Sequence, residues 1–163
     1  MANWCSNTVR FTGNKESTDK ILQLFKTMME QENKSGEGQI PGFVQGKDGI
    51  FFEIYQNETD EYSFQYETKW CPNIEVSYLI SEHYNTEFVL EYAESGSCIY
   101  GRTTYQNQLL DDVCLDFSDF DKCCYDEETD SYQFDEETYD SDMEILEILL
   151  ERKINEETLT KNL

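Results

Sequence analysis

Val9 and Phe11 alternate with Arg10 and Thr12 across NTVRFTG, a period of two that predicts a strand over 7–13 ended by Gly13. The period then changes. Ile21, Leu24, Phe25, Met28 and Met29 fall at helical spacing, and predict an amphipathic helix running to about Glu32. Ser17 or Thr18 can cap it, with Asp19 favourable in its first turn. Residues 33–48 hold Gly36, Gly38, Pro41, Gly42 and Gly46 and read as loop. GIFFEIY at 49–55 and YSFQYET at 62–68 are rich in aromatic residues and predict a hairpin across the polar QNETDE turn. Cys71 to Tyr84 is ambiguous: Ile74, Val76, Tyr78 and Ile80 alternate as in a strand. Its length, and Pro72 as a first helical residue, favour a helix. Two further strands, 87–92 and 98–105, are joined by AESGS.

The predicted order is therefore β-α-β-β-α-β with one extra strand. Two amphipathic helices bury their stripes only if both cover one face of an antiparallel sheet. The expected fold class is α+β, with the split-βαβ, ferredoxin-like arrangement. It occupies residues 1–106 and is followed by an acidic C-terminal extension over 107–163. That extension carries seventeen Asp or Glu against the single Lys122 between Asp111 and Glu151. It also holds Phe117, Phe120, Tyr132, Phe134, Ile145, Leu146, Leu149 and Leu150, which charged disordered tails lack. Strands near 119–125 and 131–137 and a helix over 141–153, ending on Arg152 and Lys153, are expected. ETDEYSFQYET at 58–68 and ETDSYQFDEET at 128–138 share seven residues in register, from biased composition or from a second hairpin unit. Residues 155–163 are a last turn or frayed end.

The motifs ANWCSNTVRFTG, ETKWCPN and FVLEYAESGSCIYG with a following TTY resemble the YubB-like family of phages, plasmids and integrated elements. The residues carrying the resemblance are Asn3, Trp4, Cys5, Asn7, Thr68, Lys69, Trp70, Glu94, Gly96, Tyr100 and Gly101. It covers about residues 1–106, and implies a ferredoxin-like domain and a mobile-element setting without specific chemistry. These residues read as structural. Trp4 and Trp70 are expected to plug the core and Asn3 and Asn7 to bond turns.

Charge narrows the function. Thirty-five Asp and Glu against twelve Lys and Arg give −23. Nucleic acid and anionic membranes are disfavoured as direct partners, and basic proteins favoured. No apolar run is long enough for a membrane span, and the first residues do not read as a signal peptide. The six Cys show no paired spacing, so reduced thiols in a cytoplasmic protein are expected. GEGQIPG lacks the Lys-Ser/Thr of a phosphate loop. His83, the only histidine, has no motif around it, which argues against nucleophilic catalysis. Cys5, Cys71 and Cys98 do not make a zinc pattern, and DEETDSYQFDEE lacks the register of a calcium loop. No catalytic residue, cofactor or metal is therefore expected.

What remains is the charge itself. A non-enzymatic acidic protein is expected to dock on a basic host protein and imitate nucleic acid. Its patch is Asp126, Glu127, Glu128, Asp130, Asp135, Glu136 and Glu137. The alternative is an interaction module using an aromatic sheet face, with the acids serving solubility. Clustered carboxylates that repel one another also predict stabilisation by added salt or by mild acidification to about pH 5.5.

Overall fold

The computed structural model describes residues 3–161. The chain opens with β1 (Trp4–Thr12), whose Cys5, Asn7, Val9 and Phe11 point inward while Trp4, Ser6, Thr8, Arg10 and Thr12 point out. α1 (Lys15–Ser35) follows. Its cap is Asn14, whose side chain accepts from the Ser17 N–H at 3.0 Å, so the helix starts before the Ser17 or Thr18 expected. It stops at Gly36, which takes the left-handed conformation (φ 70°) and returns its N–H to the Glu32 carbonyl at 2.8 Å.

β2 (Phe52–Gln56) and β3 (Ser63–Lys69) form the expected hairpin. α2 (Ile74–Tyr84) begins after Asn73, which places Pro72 before the helix rather than in its first turn. The helix buries Val76, Ser77, Ile80 and Ser81. Two serines on the buried stripe explain why the apolar residues alone alternated like a strand. β4 (Glu87–Glu94) and β5 (Ile99–Gln106) complete the expected set.

The sheet does not end there. Asn107 and Gln108, both at positive φ, form a two-residue turn into β6 (Leu109–Cys114). The antiparallel sheet runs β2-β3-β1-β4-β5-β6. Its first four strands have the ferredoxin-like order, and β5 and β6 widen it. The sixth strand extends the sheet past residue 106.

α1 and α2 cover one face. The core beneath them is aromatic, with Phe11, Phe25, Phe51, Phe64 and Phe88 at most 1% exposed. Phe25 stacks on Phe64 with ring centres 3.9 Å apart, and Phe51 meets Phe25 edge-on at 5.7 Å. Gly101 in β5 lets the Tyr92 ring lie against the backbone. A Cβ there would stand 2.4 Å from the Tyr92 hydroxyl and 2.7 Å from the Val113 carbonyl.

After β6 come α3 (Phe117–Phe120), β7 (Cys124–Asp126), β8 (Ser131–Phe134), β9 (Glu137–Tyr139) and α4 (Asp142–Lys161). Where a strand was expected over 119–125, Asp116 and Asp119 close a reciprocal cap that winds 117–120 into a helical turn instead. α4 outruns its expected end at 153, so Arg152 and Lys153 lie mid-helix. β7, β8 and β9 form a separate antiparallel meander. The sequence echo does not repeat a fold unit. Tyr62–Thr68 enters one long strand, whereas Asp135 and Glu136, at φ 49° and 66°, turn the second copy back on itself.

Candidate binding surface

α4 lies on the sheet face that α1 and α2 leave open. Alternation puts Arg102 of β5 on that face, opposite Glu91 and Val113. Arg102 is the clamp. Its guanidinium contacts Glu151 at 2.6 Å, Glu147 at 3.0 Å and Glu91 at 3.0 Å, and its side chain is 18% exposed. Burial works against its charge, but Glu151, Glu91 and Glu147 outweigh that and raise its pKa above the ordinary value. The Tyr100 hydroxyl donates to Glu147 at 2.6 Å. Around this clamp Val113, Leu115, Ile145, Leu146, Leu149 and Leu150 form a second core, distinct from the aromatic one. No local pattern singles out Arg102. Its two helical partners lie 45 and 49 residues away.

The meander is fastened to this second core through Tyr132, Phe134 and Tyr139. The acidic residues then fall in its turns. Asp126 accepts from the Glu128 N–H at 2.9 Å, and the Tyr125 hydroxyl donates to Asp130 at 2.7 Å. Asp126, Glu127, Glu128 and Asp130 gather at the β7–β8 turn, and Asp135, Glu136 and Glu137 at the β8–β9 turn. Those turns sit at opposite ends of a four-residue strand, roughly 10–13 Å apart. The seven residues therefore form two clusters rather than one patch. Asp135 is drawn into an ion pair with Arg152 at 2.6 Å, and the same guanidinium lies 5.2 Å from the Phe134 ring centre. The side chains of Glu127, Glu128 and Glu136 take no hydrogen bond or ion pair among the described residues.

The motif residues separate into three places. Asn7 is 2% exposed and donates to the Cys5 carbonyl at 2.7 Å and to Thr68 Oγ1 at 2.9 Å. It links two strands rather than a turn. Asn3 accepts from the Trp70 N–H at 2.9 Å and donates to Ser97 at 3.4 Å. Glu94 is buried and accepts from the Gly96 N–H at 2.8 Å. The polar groups of Ser97, Gly96 and Asn3 beside it hold its carboxyl below the usual range against the opposing effect of burial. Burial pushes the Cys5 thiol up to about 12, so it packs as a small apolar group. The tryptophans contradict expectation. Trp4 is 46% and Trp70 54% exposed, and neither plugs the core. Trp4 points away from α1 and α2 and meets Phe52 edge-on at 5.1 Å. The Lys69 ammonium lies 5.0 Å from Phe52 and 5.8 Å from Trp4. Trp70 stands in a turn at φ 72°.

His83 is exposed and stacks on Phe43 at 4.0 Å. Among the described residues no cluster of three His, Cys, Asp or Glu side chains is placed to hold a metal ion, and no helix is long and apolar enough to cross a membrane.

The resolved carboxyl shifts run against the expected gain of stability on acidification. Every carboxyl with a resolved shift, namely Glu16, Asp19, Glu94, Asp116 and Asp119, is lowered. Burial opposes the shift at Asp119, but bonds from Lys122 and the Asp116 N–H prevail. A carboxyl lowered in the folded state contributes stability above its unfolded value of about 4, lost as pH falls through the folded value. The melting temperature is therefore expected to change little between about pH 7 and pH 5.5 and to fall below about pH 4. A thermal melt series checks this, and a maximum near pH 5 would contradict it.

A family model described as a ferredoxin-like domain in Api92-like protein matches residues 49–142. The match runs from the approach to β2 through β6 and the meander to the first residue of α4. Comparison with the curated proteins and with the solved structures gives no match.

Proposed function

The chain belongs to the family of ferredoxin-like domains in Api92-like proteins, and from that premise we propose a non-enzymatic acidic binding protein of the YubB-like, mobile-element kind. It acts in the cytoplasm as an inhibitor. Its acidic turns dock on the basic surface of a host nucleic-acid-binding protein and take the place of phosphates. The observation that carries this reading is the attachment of both acidic turns to one hydrophobic core through Tyr132, Phe134 and Tyr139. Carboxylates on a folded frame lose less ordering entropy on binding than those of a loose tail.

The test is capture of basic nucleic-acid-binding proteins on the immobilised full chain. Retention is expected to fall steeply between about 50 and 300 mM salt and to be competed by duplex DNA. Salt-indifferent retention that DNA does not displace would contradict the reading. That outcome favours the second reading, a module that binds through the aromatic half of the open sheet face. Its supporting observation is the exposure of Trp4 beside Phe52 and Lys69, with Tyr55 59% exposed farther along the strand that carries Phe52. Trp4→Ala would then abolish retention.

A further inference from the structure

β6 is the last strand of the six-stranded sheet, and among the described residues no strand pairs on its outer side. The two-residue turn makes Gln106 and Leu109 a hydrogen-bonded pair, and pairs then alternate along an antiparallel ladder. The Leu115 N–H reaching the Tyr100 carbonyl at 2.9 Å fits that register. Leu109, Asp111 and Val113 therefore turn their backbone groups toward β5. Leu110, Asp112 and Cys114 turn theirs outward. Among the described residues nothing accepts those three N–H groups. The other edge of the sheet is managed differently: the Glu32 carboxylate takes the N–H groups of Glu53 and Ile54 in β2, at 2.7 and 3.0 Å.

The side chains along β6 say what fits there. Leu109 is 73% and Leu110 48% exposed, next to two exposed carboxylates. Asp112 is held in place, because the hydroxyls of Tyr92 and Thr103 donate to it at 2.8 and 2.6 Å. Asp111 is paired with Lys161 on the opposite sheet face. A charged edge excludes strands of like charge. A second copy of this chain, itself at −23, would bring Asp112 up against another acidic edge.

We propose that β6 accepts an extended basic segment of a partner protein as a seventh strand. Main-chain hydrogen bonds go to Leu110, Asp112 and Cys114, a Lys or Arg of the segment stands beside Asp112, and an apolar residue covers Leu110. This surface is separate from the acidic turns, so either site can fail while the other stands.

The test uses the full chain and a short peptide in which Val and Lys stand two positions apart, on one face of a strand, with Thr between them. A second peptide of the same sequence and charge is N-methylated on alternate backbone amides, so that it cannot pair. The expected result is slowed amide exchange at Leu110, Asp112 and Cys114 with the first peptide, and binding about tenfold weaker or less with the second. Leu110→Pro is expected to cause the same loss, since its N–H makes no ladder bond and proline is tolerated on an edge. Should that variant not fold, the peptide pair alone decides. Equal binding of both peptides would overturn the proposal. So would protection confined to the acidic turns, or β6 amides that become protected by raising the protein concentration without peptide.

Discussion

Leu150→Ala is expected to lower stability by about 3 kcal/mol and to loosen the acidic half of the molecule before the sheet. Leu150 is 1% exposed and packs with Ile145, Leu146 and Leu149 over Val113 and Leu115. The core beneath α1 and α2 contains none of these residues. Loss of the side chain leaves a cavity between α4 and β6, on which the meander also depends. Amide protection should therefore fall first in β8 and α4 while β1 and β4 keep theirs. Chemical denaturation with residue-resolved exchange measures both. A uniform loss across both cores would mean that the two halves unfold as one unit.

The second large effect is on binding. Glu127→Lys, Glu128→Lys and Glu136→Lys together should weaken capture of a basic partner by about a hundredfold, since lost attraction and new repulsion act at the same contact. These three positions are chosen because their side chains are exposed and bond nothing among the described residues. The melting temperature should stay close to that of the parent. The two clusters can be tested apart. A variant at 127 and 128 alone and one at 136 alone show whether the partner spans both turns. Unchanged affinity in the triple variant would remove the acidic turns from the interface.

The front of the fold was legible because its residues obey simple periods. β1 alternates, α1 carries an unbroken apolar stripe, and β2 and β3 are separated by a polar turn. The exposure of Trp4 was misread, because the expected strand began only at Asn7. It shares the outward parity of Ser6, Thr8 and Arg10, but its size suggested a core role. β6 was hidden too. In LLDDVC only Val113 is buried, so there is no alternation to read. Its turn is Asn-Gln rather than Asn-Gly, though both residues are at positive φ. The acidic site was half legible. Composition located the carboxylates, while their division between two turns came from Asp135 and Glu136 reversing the chain. Its anchor, Arg102, depends on glutamates far along the chain, and no local pattern announces that.

The net charge of the chain explains why such an anchor is needed. At −23, long-range repulsion opposes packing an acidic helix against an acidic sheet. Arg102 places one cation where Glu91, Glu147 and Glu151 converge, and the apolar side of α4 supplies the rest.

Everything proposed for the acidic turns requires that the meander be a folded support. Native-state amide exchange over residues 124–150 measures this directly. β8, bonded on both sides, and the buried turn of α4 around Ile145–Leu150 should exchange orders of magnitude more slowly than an unfolded chain. Exchange at unfolded-chain rates throughout that segment would contradict the account.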